Sequence, residues 1–148
     1  MSTTRRRMTG IGRVLVIVYA ILALGATGRS LVQIIEKFDE APLAYTLSAV
    51  SAVVYILATL ALVFAGSPVW YRIAWATISF ELLGVLVVGT LSFAAPELFA
   101  HPTVWSWYGM GYLFVPLVLP FFGIWWLVKH PPVDEAATAD QVASAAAR

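Results

Sequence analysis

The sequence predicts an all-α protein: a bundle of four transmembrane helices running up, down, up and down, with both termini cytoplasmic. Three observations carry this. Of the 148 residues, 61% are hydrophobic and only 11% are charged, whereas soluble domains carry about 25% charged residues. The mean hydropathy is +0.86. The apolar residues fall into four blocks, each long enough to cross a hydrocarbon core of about 30 Å at about 1.5 Å per helical residue. Lysine and arginine collect in alternate flanks of these blocks, the asymmetry that sets orientation in a membrane.

The chain opens on a basic segment, residues 1–13, with Arg5, Arg6, Arg7 and Arg13. The first span covers residues 14–35 and carries Arg29 and Gln33 late in its course. Lipid offers backbone groups no partners, so this block and the three that follow are expected as helices. A basic start before an apolar run also fits a cleaved signal peptide, which would leave three spans and an outer N-terminus. The apolar run continues past the would-be cleavage site near Gly25 and favours four spans. A short acidic link, "EKFDEAP", ends in Pro42 and leads to the second span, residues 43–65. That span has a stripe at steps of three and four: Ala44, Ser48, Ser51, Tyr55, Ala58, Leu62 and Ala65. Mostly small residues at this spacing predict a packing face, inside the bundle or against another subunit. A link holding Gly66 and Pro68 precedes the third span, residues 73–95, and a link with two prolines precedes the fourth, residues 109–128. Pro116 and Pro120 stand one turn apart in the fourth span and predict a kink there. The remainder, residues 129–148, opens on prolines, is rich in alanine and lacks apolar periodicity. It is expected to be a disordered cytoplasmic tail.

Seven basic residues fall on one side of this topology and Lys37 alone on the other. Trp70, Trp75, Trp125 and Trp126 fall at the predicted inner boundary, and Trp105, Trp107 and Tyr108 at the outer one. Tryptophan favours headgroup depth, so these side chains are expected as interface anchors.

Glu81 has an apolar flank on each side. It lies nine residues past Arg72, about 14 Å into the core by helix rise. A carboxylate there costs about 2.5–3.5 kcal/mol on insertion scales, so it is expected to face inward and to be paired or protonated. Thr77 and Gly84 share its face. The candidate partner is Arg29, which is about 10 Å different in depth by the same rise. Alternatively Arg29 reaches the outer interface and heads a polar stripe of Arg29, Gln33 and Glu36. The candidate binding set is therefore Arg29, Gln33, Glu36, Thr77 and Glu81. The helix-packing set is Ser48, Ser51, Tyr55 and Gly84.

Other chemistries are absent from the sequence. There is no cysteine, hence no disulfide and no thiolate metal site. His101 and His130 fall at opposite membrane boundaries and cannot share a metal. No catalytic constellation, phosphate-binding loop or cofactor motif is present. A net charge of +1 gives no field directed at nucleic acid.

The stretches Gly28–Arg29–Ser30, Phe38–Asp39–Glu40–Ala41–Pro42 and Val115–Pro116–Leu117 are the most distinctive. Through them, and over most of residues 12–128, the chain resembles a family of small, uncharacterised integral membrane proteins of actinobacteria. That resemblance implies a bacterial cytoplasmic membrane and four spans, and it brings no activity. Arg29 and the run Glu81–Leu82–Leu83–Gly84 are also similar to a pattern of the DoxX-like four-helix membrane proteins. There the pattern falls in a different span, so the similarity serves only as a fold analogy. The expected function is that of an accessory or self-associating membrane subunit, in the lipid bilayer with itself or an unidentified membrane partner. The alternative is a small transporter, channel or ligand-binding protein using Arg29, Gln33 and Glu81.

Overall fold

The computed structural model describes residues 10–132 and 135–148; Arg5, Arg6 and Arg7 lie outside the described residues. All regular structure among the described residues is helical. α1 spans Gly10–Lys37, α2 Pro42–Val63, α3 Pro68–Ala94, α4 Val115–Lys129 and α5 Glu135–Ala146. The first three are long and apolar enough to cross a membrane, which makes this an integral membrane protein. α2 and α3 each open on a proline, Pro42 and Pro68. In a first turn the missing N–H has no intrahelical partner to lose, and the fixed φ suits the helix. The links between helices, 38–41 and 64–67, are so short that α1, α2 and α3 stand as antiparallel neighbours. We call the end holding Gly10, the 64–67 link and Lys129 proximal, and the end holding the 38–41 link distal.

The fourth pass differs from the expected continuous helix over 109–128. Ser106–Tyr112 is a run of 3₁₀ turns, and α4 starts only at Val115, the two being bent by 97°. The backbone turns left-handed at Trp107, Tyr108 and Gly109 (φ 49°, 58° and 79°) and again at Leu113 and Phe114 (φ 57° and 59°). Pro116 falls in the first turn of α4, where its missing N–H has no intrahelical partner to lose, so the break falls ahead of α4, not between Pro116 and Pro120. Pro120 is accommodated inside α4. With 15 residues, α4 rises about 22 Å, short of a full crossing. Residues 103–114 fill the distal part of the pass by packing on α3.

The tail is also corrected. Residues Glu135–Ala146 form α5, and its side chains from Ala137 onward are all exposed. Alanine has the highest helix propensity of any residue, so the composition yields a helix that needs no apolar face.

The exterior is apolar, and the interior sets polar groups among apolar ones. Ile17, Ile21, Leu24, Leu83, Phe93 and Phe121 are exposed, while Tyr19, Ser48, Ser51, Tyr55 and Glu81 are buried. Lipid tails provide no drive to bury leucine, so the interior goes to small residues that let helices approach and to polar groups that bond across them. Ala23, Ala26, Ala52, Ala58 and Ala61 fill that interior.

Candidate functional site

Glu81 is the middle residue of α3, about 20 Å from either end by helix rise. It is 0% exposed. The Tyr19 hydroxyl donates to Glu81 Oε2 at 2.6 Å, tying α1 to α3. Glu81 Oε1 has no hydrogen-bond partner among the described residues. Tyr55 of α2 is beside this pair, its ring centroid 6.3 Å from that of Tyr19. Its hydroxyl accepts from Trp105 Nε1 at 2.9 Å.

The Trp105 indole lies across Gly84, one helical turn from Glu81. A Cβ added at Gly84 would stand 2.6 Å from the indole ring, so only glycine leaves that slot open. A local hydrogen-bonded turn aims the indole inward: Thr103 N–H donates to Ser106 Oγ at 2.9 Å, and Trp105 N–H to Thr103 Oγ1 at 3.1 Å. α4 closes the remaining side. A Cβ at Gly123 would meet Ile78 at 3.0 Å and the Tyr19 hydroxyl at 3.4 Å. The cluster thus takes one polar side chain from each of α1, α2, α3 and the segment entering the fourth pass.

The other sequence-predicted residues are elsewhere. Arg29 does not pair with Glu81: its Nη2 donates to the Pro102 carbonyl at 2.7 Å, at the distal end. The depth difference decides this, because a distal carbonyl costs the guanidinium far less desolvation than a mid-depth acid. Gln33 is half-buried, with Oε1 buried and unpartnered, and Glu36 is exposed. Thr77 donates to carbonyls of its own helix, Ile73 at 2.8 Å and Ala74 at 3.2 Å, and so is not a ligand of Glu81. Ser48, Ser51 and Tyr55 are fully buried inside the bundle. The α2 stripe is therefore taken up by α1 and α3 and offers no free face.

Two expected anchors are core residues instead. Trp105 is 2% exposed, in its slot at Gly84, and Trp126 is 7% exposed, in a matching slot at Gly12. A glycine gap gives an indole more apolar surface to bury than headgroup depth offers. Trp125 is exposed, and Trp70, Trp75 and Trp107 are half-buried.

Sequence reasoning missed Tyr19, the one side chain among the described residues that bonds Glu81. The available signal was its depth. Tyrosine is enriched at membrane boundaries, and Tyr19 and Tyr55 stand well inside theirs.

At the distal end residues 99–106 form a strap over the bundle. Besides the Arg29–Pro102 bond, His101 Nε2 lies 3.5 Å from Glu40 Oε2, and its ring stacks on Tyr45 with centroids 5.9 Å apart. No group of three His, Cys, Asp or Glu side chains that could hold a metal occurs among the described residues. Comparison with family models, curated proteins and solved structures gives no match for this chain.

Proposed function

We propose that this integral membrane protein binds a proton at Glu81 and changes the packing of α1 on α3 with it, as a proton-responsive membrane component. One observation carries the reading: a carboxyl at the centre of a membrane helix, fully enclosed, with one oxygen on Tyr19 and the other without a partner among the described residues. A buried charge is tolerated only when paired. No cation among the described residues bonds to this one, since the single ion pair there joins His101 to Glu40. The ionisable groups facing Glu81 are Tyr19 of α1 and Tyr55 of α2. Tyr108 and Tyr112 lie on the distal segment and Lys129 at the proximal end of α4. Trp105 at Gly84 and α4 at Gly123 pack closely against the cluster on two sides. A proton is the counter-charge that needs no room.

The test is infrared difference spectroscopy on the protein in lipid vesicles between acid and alkaline buffer. The expected result is a change in a protonated-carboxyl band together with an amide band, both lost in Glu81→Gln. A conformational response that survives in Glu81→Gln, or a wild type with no carboxyl response, contradicts the proposal.

A further inference from the structure

Glu81 needs a path to water if it is to exchange a proton, and the structure carries an unexplained pattern in that respect. Five buried side-chain polar atoms among the described residues lack a hydrogen-bond partner: Ser30 Oγ, Gln33 Oε1, Ser48 Oγ, Glu81 Oε1 and Trp126 Nε1. All but Trp126 belong to the distal half or midpoint of α1, α2 and α3. Along its own helix from the distal end, Gln33 of α1 is about 6 Å in, Ser48 of α2 about 9 Å, Ser30 of α1 about 10 Å and Glu81 of α3 about 20 Å. Ser51 of α2 is about 14 Å in by the same rise; its hydroxyl donates to the Ser48 carbonyl at 2.7 Å. Ser30, Ser48 and Glu81 are each at least nine-tenths buried, at 4%, 0% and 0% exposure. On the proximal side of Glu81 the buried interior holds Leu15, Ala58, Ala61, Leu62, Ile78 and Leu127, with Trp126 Nε1 as its one unpartnered polar side-chain atom among the described residues.

Resting on the proton reading above, we propose that the distal interior of α1, α2 and α3 is a hydrated track that admits protons to Glu81 from one side only. Buried polar groups without a protein partner are satisfied by ordered water that bonds two to four of them. Here the unpartnered groups are spread along the distal halves of α1 and α2 and end at Glu81 in the middle of α3. The 99–106 strap covers the mouth. Arg29 holds it through the Pro102 carbonyl, and His101 holds it at the α1–α2 corner through Glu40 and Tyr45. The first-span arginine is thus a latch on the cover, not a partner of the acid.

The chain has no cysteine, so single substitutions report without a background. The full-length protein is placed in sealed vesicles, and a small membrane-impermeant thiol reagent is added to one side at a time. Ser48→Cys is expected to react from the distal side only. Ala61→Cys, equally buried at 0% exposure in the proximal half of α2, is expected not to react from either side. Adding Arg29→Ala should raise the Ser48→Cys rate roughly tenfold, the factor equivalent to about 1.4 kcal/mol. A Ser48→Cys rate no greater than that of Ala61→Cys in both backgrounds overturns the track. A Ser48→Cys rate that Arg29→Ala leaves unchanged overturns the strap as its cover. The two proposals fail separately: an inert Ser48→Cys beside a titrating Glu81 sinks the route, and a reactive Ser48→Cys beside an unresponsive Glu81 sinks the proton reading.

Discussion

Gly84 decides how Glu81 is enclosed. The missing Cβ admits the Trp105 indole, which seals the cluster and bonds the Tyr55 hydroxyl. Gly84→Ala puts a methyl 2.6 Å from that ring and should destabilise the protein by about 1–3 kcal/mol, the usual range for overpacking. The check is thermal unfolding against Gly28→Ala, whose new methyl meets nothing within 4 Å and which gains up to about 1 kcal/mol of helix propensity. Equal melting temperatures for the two variants would contradict the slot. At this scale the inward-facing acid was legible in the sequence, because a mid-span carboxylate has nowhere else to go. Its partner was not. Charge logic points to Arg29, whereas the actual donor is a neutral phenol, and choosing it requires knowing which α1 turn sits opposite the middle of α3.

At the scale of elements, α1, α2 and α3 were legible because length, hydropathy and flanking prolines all agree. The fourth pass was not. Its apolar run reads as one helix, but Trp107, Tyr108, Leu113 and Phe114 occupy left-handed backbone, at about 1–3 kcal/mol each for residues other than glycine. Packing compensates: Trp105 fills the Gly84 slot, Tyr108 packs on Gly89, and the Tyr108 hydroxyl shares a 2.9 Å hydrogen bond with Thr90. No periodicity in the sequence reports such a trade. The bent pair still returns the chain to the proximal end, where the Tyr71 hydroxyl donates to the Leu127 carbonyl at 2.7 Å. Single cysteines at Gly10 and Asp140 are therefore expected to label from the same side of sealed vesicles, and one at Asp39 from the opposite side. Gly10→Cys and Asp140→Cys labelling from opposite faces would mean that the broken segment enters and leaves by one face.

For the whole molecule, an apolar exterior and an interior with a few cross-helix polar bonds together make a bundle that lipid can surround and that hydrogen bonds help to hold. The class was legible from composition alone, since 11% charged residues cannot clothe a chain of this length in water. What composition could not convey is that the elements converge on a single acid through Tyr19, Tyr55 and Trp105. The most direct measurement of that convergence is a double-mutant cycle on the full chain, with Tyr19→Phe, Glu81→Leu and the pair compared by reversible unfolding in lipid micelles. Tyr19→Phe removes the donor and Glu81→Leu the acceptor, each at nearly constant volume. The α1–α3 bond described here predicts a coupling of about 1 kcal/mol or more. Effects that add to within about 0.5 kcal/mol, the behaviour of residues that do not touch, would contradict it.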